Sequence, residues 1–188
     1  MNRREAISSV TLLLGGTLLG AEAFLAGCKS PSADLSLSFS TDDISFLNEV
    51  AETILPATSS PGAKEAKVGD FMTVIVKDCY AGKDQTIFKE GMIKLQEVCK
   101  KSSGKSFMEA TPEQRHDLLV ALDKEQKEYQ DKKKPEDPTH YFRMMKELTL
   151  WGYFTSEIGA TKALRYVAVP GKYEGCIPYK KGDKAWAT

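Results

Sequence analysis

The chain has 188 residues, of which 41% are hydrophobic and 28% charged, a balance typical of one soluble globular domain and unlike that of a disordered chain. Its 26 lysines and arginines equal its 26 aspartates and glutamates, so the net charge is zero and no basic surface for nucleic acid is indicated. Two histidines and four cysteines leave few residues for a metal site.

The first 27 residues have the layout of an export signal. Arg3 and Arg4 precede a weakly apolar stretch, residues 7–26, which is interrupted by glycine and threonine. Paired arginines ahead of such a stretch are typical of the twin-arginine export route, although Ala6 occupies a position where that pattern prefers a large apolar residue. A signal for the general secretory route, with an accidental arginine pair, is the alternative.

The apolar stretch ends in a segment that resembles a bacterial lipobox, Leu25-Ala26-Gly27-Cys28. Small residues before the cysteine admit the signal peptidase, and the Cys28 sulfur accepts a diacylglycerol. A retained transmembrane helix is the alternative, because the stretch approaches the ~20 residues that span a bilayer, but its glycines and Glu22 disfavour it. We therefore expect the mature chain to begin at Cys28 and to be held by its acyl chains at a membrane facing the periplasm. Lys29 favours the outer over the inner membrane, and the sequence leaves both open.

A flexible tether and one helical domain are predicted downstream of the lipobox. Residues 28–40 are rich in serine and proline and show no periodicity, as in a tether that lifts a domain off a membrane. Over residues 41–188 the alternation that marks strands is almost absent, and apolar residues recur at three- and four-residue spacing instead. We therefore expect an all-α domain of five to six helices, with an extended and irregular C-terminal tail over residues 166–188.

Caps and helix breakers predict the boundaries of the first three helices. The first helix follows a hydroxyl cap at Ser40 and is closed by Pro56, and a long loop over residues 56–66 comes next. The second helix begins near Gly69, and the third runs from about residue 84 to residue 101. The apolar residues expected to face the core are Ile44, Leu47, Ala51 and Ile54, then Phe71, Ile75 and Cys79, and then Phe88, Met92, Leu95 and Cys99.

The remaining helices are predicted from the same signals. Thr111 and Pro112 form the cap and first position of a fourth helix, and a fifth begins at Pro138. Gly152 predicts a kink, followed by a short sixth helix that ends near Arg165. The apolar residues expected to face the core are Leu118, Leu122 and Tyr129, and then Tyr141, Met145, Leu148 and Trp151.

Motifs for catalysis are scarce. No Cys-x-x-Cys-His, Gly-x-Gly-x-x-Gly, Gly-x-Ser-x-Gly or His-Glu-x-x-His occurs, so covalent haem, dinucleotide binding and the commonest hydrolase sites have no support. Glu49 and Glu52 lie three residues apart on one predicted helix and could act as acid and base, but exposed glutamates are usually only solvated. A lone histidine such as His140 is weak evidence for catalysis.

Three cysteines remain once Cys28 is lipidated, an odd number for an oxidising compartment. Cys79 and Cys99 lie on apolar helix faces and, in a hairpin of the second and third helices, stand roughly 20 Å apart along the axis, so they cannot bridge. Cys176, in the tail, has three open states: buried against its own domain, bridged to Cys79, or paired across an interface with a partner.

Four segments together resemble the gluconate 2-dehydrogenase subunit 3 family. They are residues 52–58 (Glu-Thr-Ile-Leu-Pro-Ala-Thr), residues 61–66 (Pro-Gly-Ala-Lys-Glu-Ala) with Val68, residues 152–159 (Gly-Tyr-Phe-Thr-Ser-Glu-Ile-Gly) and residues 170–176 (Pro-Gly-Lys-Tyr-Glu-Gly-Cys). The resemblance implies a small subunit with a twin-arginine signal and no redox centre. It also implies a large flavin-containing partner subunit, of the glucose–methanol–choline oxidoreductase type, that oxidises sugars, sugar acids or polyols. The lipobox departs from many relatives.

The function that the resemblance implies is that of a non-catalytic small subunit. It would escort, stabilise and membrane-tether the dehydrogenase, with FAD in the partner subunit and no cofactor in this chain. The export signal agrees with this, because the twin-arginine route carries folded proteins and a domain without a cofactor motif has little need of it for itself. The rival hypotheses are a ligand-binding lipoprotein and a stand-alone lipoprotein enzyme, a lyase or hydrolase that uses Glu49, Glu52, Glu157 or His140.

Partner contacts are expected from the long loop and from the segment after the fifth helix, since both are more irregular than a small helical domain needs. Tyr153 and Phe154 are the best anchors, because aromatic residues dominate binding energy, unless both pack in the core of this subunit. The residues expected at the interface are Pro56, Pro61, Gly62, Tyr153, Phe154, Glu157 and Cys176.

Overall fold

The structure is a computed structural model that describes residues 38–169 and 171–187. The helices are α1 (Thr41–Ile54), α2 (Val68–Cys79), α3 (Gly82–Ser103), α4 (Pro112–Lys132) and α5 (Tyr141–Thr155), followed by a π-helical turn (Gly159–Ala163). The described residues form no strand beyond one isolated bridge between Arg165 and Trp186, so the predicted all-α class is confirmed. No described helix has the length and apolar character needed to cross a bilayer.

The predicted export signal, with Arg3 and Arg4, lies outside the described residues, and so do the predicted lipidation site Cys28 and the tether up to residue 37. These expectations stay predictions.

Helices α1 and α4 begin where the sequence predicts, because the N-terminus of each is capped by a reciprocal pair of hydrogen bonds. The N–H of Asp43 donates to the Ser40 hydroxyl (3.1 Å), and the N–H of Ser40 donates to the Asp43 carboxylate (2.9 Å). Thr111 and Gln114 repeat this arrangement at the start of α4, with a proline at the first helical position. Both caps satisfy backbone donors that a helix start otherwise leaves unpaired.

Helix α5 is the centre of the fold, because it packs against each of the other four helices. A helix surrounded in this way has to be apolar on nearly all sides, and the α5 sequence is. Its buried residues are Tyr141, Phe142, Met144, Met145, Leu148, Thr149, Gly152 and Tyr153. The surrounding helices therefore cover α5 along most of its length.

Two glycines allow neighbouring helices to approach closely. A Cβ atom on Gly91 of α3 would lie 2.4 Å from the Tyr141 Cβ, and a Cβ on Gly152 of α5 would lie 2.6 Å from the Phe71 ring. At Gly152, where the sequence predicts a kink, α5 continues without interruption to Thr155, and the glycine allows the close contact with α2.

The core predicted from the sequence is confirmed along α3 and displaced along α2. Phe88, Met92, Leu95 and Cys99 are all buried. On α2 the fully buried row is instead Val68, Met72 and Val76. The predicted row Phe71, Ile75 and Cys79 lies one position round the helix, so that Phe71 and Ile75 are half-buried and Cys79 is exposed.

Candidate partner interface

The Glu52 side chain joins the two ends of the loop between α1 and α2, residues 55–67, and so closes it. Its carboxylate accepts hydrogen bonds from the N–H of Ala57 (2.9 Å) and the N–H of Lys64 (2.8 Å), which lie near the two ends of the loop. Gly62 lies against the same carboxylate, because a Cβ atom there would be 2.2 Å from Glu52 Oε1. Gly62 is therefore buried inside the loop.

Glu49, one turn earlier on α1, connects the same loop to α4. Its carboxylate forms ion pairs with Lys64 of the loop and with Arg115 of α4, the latter at 2.6 Å. Arg115 also donates to the Met108 carbonyl (2.7 Å) and lies over the Phe107 ring. Burial alone would raise the pKa of Glu49, but the hydrogen bonds and charges of Lys64 and Arg115 outweigh it and lower the pKa. Glu49 is therefore held as a carboxylate.

Tyr153 supports the loop from α5. Its side chain is only 4% exposed, and its hydroxyl donates a 2.6 Å hydrogen bond to the Pro61 carbonyl. A buried phenol needs an acceptor inside the protein, and this carbonyl supplies it. Of the two alternatives that the sequence leaves for Tyr153, the structure therefore favours the core.

The predicted interface residues differ in how far they are exposed to solvent. Pro56, Phe154, Glu157 and Cys176 are exposed and Pro61 is half-buried, whereas Gly62 and Tyr153 are buried. The exposed members lie on the loop, at the end of α5 and in the tail. Their contact with a partner stays a prediction.

The sequence predicts that Phe71 and Trp151 face the core, and for Trp151 that prediction is wrong. Together with Val74 of α2 and Phe154 of α5 these residues form a surface that we call the aromatic face. The Phe71 and Trp151 rings meet edge to face at 5.2 Å, and Phe154 meets the ring of Tyr153 in the same way. Trp151 is 52% and Phe154 39% exposed, and both lie three residues apart on one side of α5. The signal lay in the run Leu148 to Phe154, where too many neighbouring residues are apolar for all to face the core.

The side chains named for a stand-alone enzyme make separate contacts. Among the described residues no hydrogen bond joins any two of Glu49, Glu52, His140 and Glu157, and the two α1 glutamates are occupied by the loop. His140 Nδ1 accepts from the N–H of Phe142 (3.3 Å) and so caps α5. Burial lowers the pKa of His140, with Glu125 opposing the shift, so the ring caps the helix in its neutral form at pH 7.

A shallow cleft of about 310 Å³ between α1, α4 and α5 is the feature that the ligand-binding hypothesis would use. Asp123 at its edge forms ion pairs with Lys146 (2.6 Å) and Lys127 (2.9 Å). Burial raises the pKa of Asp123, but these hydrogen bonds and one from Gln126 outweigh it and lower the pKa to about 2. These two lysines share one carboxylate, which cancels one of their two positive charges. Within residues 38–169 and 171–187, no three His, Cys, Asp or Glu side chains are grouped to hold a metal ion.

Comparison with known proteins gives one match. The family model described as Gluconate 2-dehydrogenase subunit 3 matches residues 41–171. The matched range contains all five helices, the loop of residues 55–67, the aromatic face and the π-helical turn. No curated protein and no solved structure matches the chain.

Replacing Glu52 tests the closure of the loop. Glu52→Gln turns one of the two accepting oxygens into an N–H₂ group that faces a backbone N–H, so one charge-assisted hydrogen bond is lost. Since hydrogen bonds to charged groups contribute about 1.5–3 kcal/mol, we expect the free energy of unfolding in urea to fall by about that amount. Amide hydrogen exchange at Ala57 and Lys64 should also speed up.

Glu65→Gln is the matched control, because Glu65 is an exposed carboxylate in the same loop. It should leave the unfolding free energy and both exchange rates unchanged. Equal losses in the two variants would contradict a closing role for Glu52.

Proposed function

The chain belongs to the gluconate 2-dehydrogenase subunit 3 family, and from that premise we propose that it is the non-catalytic small subunit of a flavin-dependent dehydrogenase. Membership makes the chain an accessory subunit of a gluconate 2-dehydrogenase type of complex and implies a dehydrogenase partner. The finer proposal is that the partner is an FAD-containing subunit of the glucose–methanol–choline type, acting on a sugar, sugar acid or polyol. The observation that carries it is the family match over residues 41–171.

The roles of the polar residues support an accessory rather than a catalytic subunit. Glu49 and Glu52 are used to hold the loop, and His140 is used to cap α5. Catalytic acids and bases need a lone pair or proton that faces substrate. The carboxylate oxygens of Glu49 and Glu52 face the protein's own cations and backbone. In His140, Nδ1 accepts from the backbone and Nε2 lies 3.5 Å from the Glu125 carboxylate.

The aromatic face supports a partner that covers it. Trp151, Val74 and Phe154 expose large apolar surface, which in a single soluble domain marks an interaction site more often than chance. The exposed residue Pro56 belongs to a loop that Tyr153 ties to α5. We propose that the aromatic face and the outer side of this loop contact the dehydrogenase.

The escort and tether roles rest on the N-terminal sequence. We propose that the arginine pair Arg3 and Arg4 directs the folded complex to the twin-arginine route, so that the dehydrogenase crosses the membrane with its flavin already bound. Lipid on Cys28 then holds both subunits at a membrane facing the periplasm. A single acyl chain binds membranes only marginally, and the several chains of a lipoprotein bind stably.

Cell fractionation with two sets of variants tests these roles. Arg3→Lys with Arg4→Lys should leave both subunits in the cytoplasm, because the dehydrogenase depends on this chain for its signal. Cys28→Ser should leave the subunit as an uncleaved precursor or release it, with the dehydrogenase, into the soluble periplasmic fraction. Immunoblots of each fraction for the two subunits give the result.

Each set controls the other, since one addresses export and the other attachment. Normal export of the dehydrogenase in the arginine variant would remove the escort role. A Cys28→Ser chain that is still processed and still bound to membranes would remove the lipid anchor.

Truncating the aromatic face tests where the dehydrogenase binds. Aromatic anchors in desolvated pockets contribute ~2 kcal/mol or more, so Trp151→Ala should raise the Kd for the purified dehydrogenase subunit about 30-fold. Calorimetric titration measures the Kd, and thermal unfolding of the free subunit reports any loss of the Phe71 contact.

Ile93→Ala is the control, because Ile93 is an equally exposed apolar residue (56%) on α3, a helix that contributes no residue to this face. Its Kd should equal that of the wild type. If Trp151→Ala and Ile93→Ala bind equally well, the aromatic face is not the interface.

A further inference from the structure

The tail after the π-helical turn forms a closed arm. The N–H of Arg165 donates to the Ala185 carbonyl (2.8 Å), and the N–H of Ala187 donates back to the Arg165 carbonyl (2.9 Å). The Arg165 guanidinium lies 4.7 Å from the centre of the Trp186 ring, which adds a cation–π contact. This neck holds together the two ends of residues 166–185, which we call the C-terminal arm.

The arm is exposed to solvent, although the Lys184 ammonium near the neck donates to the Lys162 carbonyl of the π-helical turn. Each described residue in it, 166–169 and 171–185, is exposed. Tyr173 is 95% and Tyr179 77% exposed, and Tyr166, Val169 and Ile177 are exposed as well. Of the three states that the sequence left open for Cys176, neither burial nor a bridge to Cys79 is found, since both cysteines are free and exposed.

Most of the described backbone of the arm also makes no hydrogen bond within the protein. Within residues 166–169 and 171–179, no backbone N–H or C=O makes a hydrogen bond to another described residue. Local pairing is confined to residues 180–183, where the N–H of Asp183 donates to the Lys180 carbonyl (3.0 Å). The arm thus combines apolar side chains with backbone groups that water alone can satisfy.

Such a segment is stabilised by contact with a surface that buries its apolar side chains and forms hydrogen bonds with its backbone. Each aromatic side chain buries about 150–250 Å² when covered, and the neck has already removed part of the ordering cost by fixing both ends. A protein surface supplies hydrogen-bond partners for the extended backbone, as in peptide recognition by main-chain pairing. The hydrocarbon of a bilayer supplies none, which favours a protein over a lipid occupant.

We infer that the C-terminal arm is a docking element that lies along the dehydrogenase subunit and buries Tyr173 and Tyr179 there. The inference rests on the proposed function, because it names the dehydrogenase as the occupant. The arm carries four lysines and two acidic residues, a net charge of +2. It therefore fits apolar recesses flanked by acidic side chains on the partner.

Two measurements on the purified complex test the arm. Tyr173→Ala with Tyr179→Ala should raise the Kd for the dehydrogenase at least about tenfold and leave the melting temperature of the free subunit unchanged, since both rings are exposed. Ile93→Ala is again the control. In the second measurement, alkylation of Cys176 by a maleimide, read by peptide mass spectrometry, should slow at least about tenfold when the complex forms, with the buried Cys99 as the unreactive reference.

The outcomes separate the arm from the function on which it rests. A wild-type chain that binds no flavoprotein overturns the proposed function. A complex that forms, but whose Kd ignores the tyrosine changes or whose Cys176 stays as reactive as in the free subunit, overturns the arm alone. Protection of Cys176 by vesicles of phosphatidylethanolamine and phosphatidylglycerol, but not by the dehydrogenase, overturns it in favour of a membrane.

Discussion

Glu52 accepts hydrogen bonds from backbone N–H groups near both ends of the loop between α1 and α2, and the neighbouring parts of the structure depend on the shape this gives the loop. Ordering irregular backbone costs about 1–2 kcal/mol per residue, so a loop of this length needs fixed partners. Glu49 adds a connection to Arg115 of α4, and the Tyr153 hydroxyl adds one to α5. Three helices thereby hold one loop, and its outer side is presented as a defined surface.

This constraint also gives Glu49 and Glu52 structural roles in holding the loop. Glu49, which lies between a lysine and an arginine, is stabilised in its ionised form. The subunit offers two kinds of surface. The loop and the aromatic face are held by contacts with several helices. The C-terminal arm is held near its base, at the neck between Arg165 and Trp186 and by the Lys184 ammonium, which donates to the Lys162 carbonyl. A face held by several helices fixes orientation, and an arm held at its base adds contact area around it.

Much of the fold follows from local signals in the sequence, and the errors have physical causes. The caps at Ser40 and Thr111 place two helix starts because cap hydrogen bonds are made within four residues. The α2 face was displaced by one position, since Phe71 and Val68 are both apolar and only packing against α1 and α5 decides which is covered. The roles of Glu52 and Tyr153 depend on partners 12 and 92 residues away, and no local pattern encodes such contacts.

The most direct test of an accessory role is to purify this chain from its native cells under mild detergent and to record the absorbance spectrum of the eluted protein. The account predicts a flavin spectrum that elutes with this chain, bleaches when an oxidisable sugar, sugar acid or polyol is added, and is carried by a second, larger polypeptide. Elution of this chain alone, without flavin and without a larger subunit, would contradict the account.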